Sequence, residues 1–196
     1  RLMSEVVKRL HLTVNYSVRE GLRTADLYGR SPIEVDFIND NSKQKLSLEV
    51  TPLRNGKIEL TDFEDKFVTR QETKRVILAE YGDTVATPVG QVVVHKTLFM
   101  DSTYLKKPIT VIKNSLAATT NAYRAAVKSD VANKQASIVT ISMNNSVPRR
   151  AEDVINTLIA VYEEDAIADK RQLSVVTADF IKERMQVIGR ELGDVD

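Results

Sequence analysis

The last of the five prolines stands at position 148, and from Arg149 to Asp196 nothing in the sequence stops a helix. Proline inside a helix removes a hydrogen bond and clashes with the preceding turn. Glycine costs only about 1 kcal/mol, and here it comes late, at Gly189 and Gly193. Pro148 itself suits the first helical turn, where its missing amide hydrogen is no loss. The spacing therefore predicts a helix from Pro148 that buries Ala151, Val154, Ile155, Leu158, Ile159 and Tyr162 on one face, with Ser146 or the backbone just before it as cap. Toward its end Ile181, Met185, Ile188, Leu192 and Val195 are spaced 4, 3, 4, 3, the period of a coiled-coil seam. Such a seam leads naturally to a helical stalk or hairpin, and otherwise to an amphipathic helix lying on the domain.

Arg149 and Arg150 oppose the dipole of that helix, by about 0.3–1 kcal/mol each where exposed. The plain expectation is that Glu152, Asp153 and solvent offset them. The alternative is contact with a neighbouring subunit or an acidic glycan. Asn156 flanks the apolar stripe and reads as a packing amide.

Upstream the texture changes. "RLMSEVVKRLHL" opens inside a helical period with Leu2, Val6 and Leu10, and "HLTVNYSV" reads as a strand. Alternation in "SPIEVDFI" and "KLSLEVTPL" predicts half-buried strands, and Asn55-Gly56 predicts a tight antiparallel hairpin. Pro52 belongs near an edge or the turn. "TPVGQVVVHKT" and "PITVIKN" add strands, "SLAATTNAYRAAVKS" a helix capped by Ser115, and "SIVTISMNN" a last strand. The expected fold is α+β. Residues 1–30 and 108–196 would form a small mixed α/β sheet layer packed by helices, with the long C-terminal helix. Residues 31–107 would be a β-rich insertion within the same region.

Chemistry is mostly excluded. The 28 Lys and Arg against 27 Asp and Glu leave a net charge of +1, so no broad field attracts nucleic acid or an anionic membrane. With 6% aromatics there is no base-stacking surface either. No cysteine is present, which removes thiolate ligands, thiol nucleophiles and disulfides. His11 and His95 fall in separate predicted strands without zinc spacing, and the seven glycines make neither a phosphate loop nor a dinucleotide fingerprint. "EED" at 163–165 and "FEDK" at 63–66 read as solvated faces and turns, with no Trp beside them. No apolar run approaches the ~20 residues of a membrane span. Catalytic residues, cofactors and metals are therefore not expected in this chain.

One resemblance stands out. "ASIVTISMNNSVPRRAEDVINTLIAVYEEDAIADK", followed by "TADFIKERMQVIGRELGDVD", resembles the chain-length determinant (Wzz) region of polysaccharide co-polymerases. It is most similar to the form fused to bacterial tyrosine autokinases in capsule and exopolysaccharide export, as in Bacteroides-type bacteria. The family motif corresponds to Pro148, Ala151, Asn156 and Tyr162, and its later pairs to Phe180, Ile181, Glu183 and Arg184. Many members place a capping aspartate before the proline, where this chain has Val147. The similarity is good over 108–196 and weaker for "LRTADLYGRSPIEVDF" and "YGDTVATPVGQVVV".

The resemblance implies a non-catalytic periplasmic segment of an inner-membrane protein, held by flanking membrane helices absent here. Protomers of that family assemble into rings that set polymer length and work with polymerase and export machinery. A kinase site, where the family has one, lies in a cytoplasmic domain outside this segment. The ends of the chain read as cut within helices, as expected of an excised segment. Two other readings compete. Residues 31–107 could form a carbohydrate- or ligand-binding sensor module of a membrane receptor, or, more weakly, a hydrolase using acidic side chains.

Overall fold

The computed structural model describes residues 1–38, 44–65, 68–131 and 138–193. Helix α1 (Leu2–Arg9) leads into strands β1 (Val14–Glu20), β2 (Arg23–Asp26), β3 (Ile33–Ile38), β4 (Leu46–Pro52) and β5 (Lys57–Glu64). A single turn, α2 (Arg70–Thr73), is closed by a capping box between Thr69 and Glu72. Strands β6 (Ile77–Glu80), β7 (Thr84–Thr87), β8 (Gly90–Lys96) and β9 (Ile109–Lys113) follow. Helix α3 (Leu116–Ala126), the ribbon β10 (Val127–Val131) and β11 (Val139–Met143), and helix α4 (Pro148–Gly193) complete the order. The class is α+β, with the long C-terminal helix that the proline-free run requires.

The ladders are antiparallel, in a six-stranded sheet of order β2-β1-β9-β4-β5-β6, a three-stranded sheet β3-β8-β7 and the two-stranded β10-β11. The larger sheet takes β1, β2 and β9 from the segments expected to form the base, and β4, β5 and β6 from the segment expected to be an insertion. The structure divides along its cores instead. One core holds Val18, Leu48, Val50, Ile58, Leu60, Phe63, Ile109 and Val111 of the larger sheet against Ile33, Val35, Val92 and Val94 of the smaller. The other holds Met3, Val6 and Val7 of α1, Leu12, and Val154 and Val161 of α4. A strand with two unpaired edges must satisfy both, so β9 pairs with β1 on one side and β4 on the other wherever the chain has come from.

Local chemistry explains most of these elements. The β4–β5 hairpin turns at Asn55-Gly56, where Gly56 has φ +77°, a region that costs a Cβ-bearing residue energy. Pro52 ends β4, so its missing donor falls where the ladder stops. In β5 the register shifts opposite Ser47–Glu49, and Asp62 at φ 49° is the extra residue. This bulge turns Phe63 inward, onto the face of Ile58 and Leu60, against simple alternation. Ser115 caps α3 by accepting from the Ala118 amide at 3.2 Å.

Several local expectations fail for identifiable reasons. His11 lies in the turn after α1 and not in a strand, at φ 50°. The helix expected to run through "VKS" gives way at Val127 to β10, whose partner β11 supplies bonds that a local reading cannot see. Ser146 does not cap α4. Asn145 accepts from the Val147 amide at 2.9 Å, and the Val147 carbonyl takes the first helical bonds, from Arg150 and Ala151.

The buried stripe of α4 follows the expected one through Ala151, Val154, Ile155 and Leu158, all buried or half-buried, and then departs from it. Val154 and Val161 are buried and Leu158 is half-buried, a narrow seam that packs on α1, while Ile159 and Tyr162 are exposed. Periodicity marks both valine and isoleucine rows as apolar, and the position of α1 decides which one is covered. Farther along, Ile181 and Met185 are exposed; Val195 of the expected seam lies outside the described residues, as do the side chains of Ile188 and Leu192.

Candidate functional site

The two cores meet at the corner between β2 and β3. Leu27 belongs to the β core, whereas its neighbour Tyr28 packs against the helical one. Asp26, at the end of β2, accepts from the Tyr28 amide at 2.9 Å, a tight Asx turn that fixes its carboxylate. The same Oδ1 accepts from Nη2 of Arg150 at 2.7 Å. The Arg150 guanidinium lies 4.7 Å from the Tyr28 ring centroid, and the Tyr28 hydroxyl donates to Oδ2 of Asp153 at 3.0 Å. A closed circuit, Asp26–Arg150–Tyr28–Asp153, thus ties the first turn of α4 to the sheet.

This corrects one sequence-based expectation. Arg150 is 7% exposed, so it is engaged within its own chain and not presented to a subunit or a glycan. Its conflict with the helix dipole is answered by a carboxylate from β2, not by Glu152. Its Nε remains without a hydrogen bond among the described residues, a burial penalty of about 1–3 kcal/mol set against the ion pair and the ring contact. Arg149 is exposed and lies over Gly29, where a Cβ would sit 3.6 Å from the guanidinium carbon. Gly29 has φ +67°, so the loop needs glycine there for its backbone as well.

A second set of ties runs along the surface between α1 and α4. Arg9 donates to both carboxylate oxygens of Glu164 at 2.9 and 2.7 Å, and Arg1 pairs with Asp165 at 2.6 Å. The Arg9 bond holds the Glu164 carboxyl below its usual range. These exposed pairs set the register of the two helices more than they add stability.

The family-motif positions are not gathered into one place. Pro148 and Ala151 lie in the first turn of α4, whereas Asn156, Tyr162, Phe180, Ile181, Glu183 and Arg184 are exposed along the helix. Asp26, Tyr28 and Gly29 were missed as site residues; the tight-turn pattern in "ADLYG" was their only local signal. The pairing of Glu49 with Asp62 was missed as well. Burial, and then Asp62 at the β5 bulge, push Glu49 above the usual carboxylate range, while Thr110 donates to Glu49 at 3.2 Å. Among the described residues no group of three His, Asp or Glu could hold a metal, and no helix is long and apolar enough to cross a membrane.

Tyr28 makes the circuit sensitive to alkali. Burial, and then its bond to Asp153, raise its hydroxyl from 10.0 to about 12, and burial raises Tyr16 equally. Folding therefore favours the protonated phenols. Their contribution is complete below pH 10 and is lost between about pH 10 and 12. Urea midpoints measured across that window should fall, and should fall less steeply in Tyr28→Phe; equal slopes would remove Tyr28 from the explanation.

No protein-family model matches the chain, and no curated protein matches it significantly.

Proposed function

We propose that this chain is a non-catalytic periplasmic scaffold segment of an inner-membrane protein, of the chain-length determinant type. It would assemble with copies of itself to regulate the length and export of a capsular or exopolysaccharide. The observation that supports this reading is α4. At 1.5 Å per residue its 46 residues reach about 70 Å, and among the described residues the part packed on α1 and the sheet corner is its first turns. Beyond Asp165 the helix exposes Ile167, Leu173, Val175, Val176, Phe180, Ile181 and Met185. Apolar side chains repeated along one projecting helix suit a surface that neighbouring subunits cover. The latch at Arg150 would then hold this helix at a set angle to the β body.

The test uses the full-length protein reconstituted in membrane discs. Light scattering is expected to report a discrete assembly, which Phe180→Glu with Ile181→Glu dissociates while broadening the polymer length distribution in cells. A monomeric reconstituted protein, or an unchanged assembly in the double variant, would overturn the reading.

A further inference from the structure

Between the turn after α1, the start of β3 and the first turn of α4 lies a cleft of about 390 Å³, of a size that takes a small organic ligand. Its lining combines groups of opposite hydrogen-bonding character. Glu34 and Asp36 of β3 are exposed carboxylates that only accept, whereas Arg149 is an exposed guanidinium that only donates. Asn15 adds an amide that does both, and Phe99 brings a ring that is 52% exposed. Among the described residues, Asn15, Glu34 and Arg149 form no side-chain hydrogen bond or ion pair, and Asp36 has only exposed His95, at 3.3 Å. Arg149 is held at this cleft by its packing on Gly29.

This balance selects a ligand class. A simple anion would meet Glu34 and Asp36, and a simple cation would meet Arg149, each a repulsion within the same cleft. A neutral polyol is suited to both sides, because each hydroxyl can donate to a carboxylate and accept from a guanidinium. A ring face of C–H groups would match the apolar surface of Phe99. We propose that this cleft binds one neutral pyranose unit, with Glu34, Asp36 and Arg149 contacting its hydroxyls and Phe99 its apolar face. The site is independent of self-assembly through α4, so either can fail alone.

Saturation-transfer NMR on the chain tests this with the methyl glycosides of glucose, galactose, mannose and N-acetylglucosamine, against glucuronate and glucosamine. At least one neutral glycoside should bind in the millimolar range and more tightly than both charged sugars. Arg149→Ala and Glu34→Ala should each weaken it about tenfold or more, the scale of one hydrogen bond to a charged group. Phe99→Ala, at an exposed position, should do so without changing the circular dichroism spectrum. Absence of binding by all four neutral glycosides, preference for a charged sugar, or unchanged affinity in Glu34→Ala and Phe99→Ala would overturn the proposal.

Discussion

Val154→Asp is expected to destabilise the chain by about 4 kcal/mol or more, because it loses a buried side chain and places an unpaired carboxylate in an apolar seam. Val154 has no exposure and lies in the core that includes Val6 and Val7 of α1, which are likewise fully covered. The nearest cation on the helix, Arg150 one turn earlier, is already bonded to Asp26, as Arg9 and Arg1 are to Glu164 and Asp165 at the surface. The control is Ile159→Asp. Ile159 is 42% exposed, and its replacement should stay within about 0.5 kcal/mol. Urea denaturation followed by circular dichroism measures both. A loss below about 1 kcal/mol in Val154→Asp would show that α4 is not docked through this residue.

Arg150→Ala should cost about 3 kcal/mol, the usual scale for removing one partner of a buried ion pair. It takes away the bond to Asp26 and the contact with the Tyr28 ring in a single step. Asp26 keeps its bond from the Tyr28 amide, which limits the loss. Arg150→Lys restores the charge but neither the planar stacking nor the fork of donors, so it should recover less than half of the stability. Full recovery by lysine would mean that charge alone matters. A neutral Arg150→Ala would mean that the unbonded Nε cancels what the pair contributes.

How far the sequence could be read depends on the range of the interaction involved. Strands β3 and β4 follow from alternation, β8 and β9 from short apolar runs, the β4–β5 hairpin from Asn55-Gly56, and the cap of α3 from Ser115, all within a few residues of chain. The bulge at Asp62 was not legible, because "KIELTDFE" alternates until a register shift against Ser47–Glu49 turns Phe63 inward. Strand β10 was hidden for a similar reason: its residues follow a helix without a breaker, and the ladder with β11 converts them. At the candidate site, Arg149 and Arg150 were conspicuous as cations at a helix start. Their different fates could not be told apart, since Asp26 is 124 residues from Arg150.

What the sequence by itself determined is the α+β class, most of the strand and helix positions, and a helix running on from Pro148. These rest on local terms, namely backbone conformations, hydrogen-bonding partners within a turn, and the period of apolar side chains. Only the tertiary structure decided which apolar row of α4 is covered, which arginine is buried, and that strands from either side of the β-rich segment share one sheet. Each of those depends on where a distant element packs. Desolvation and ion-pair energies take their values from that placement, and no local pattern carries it.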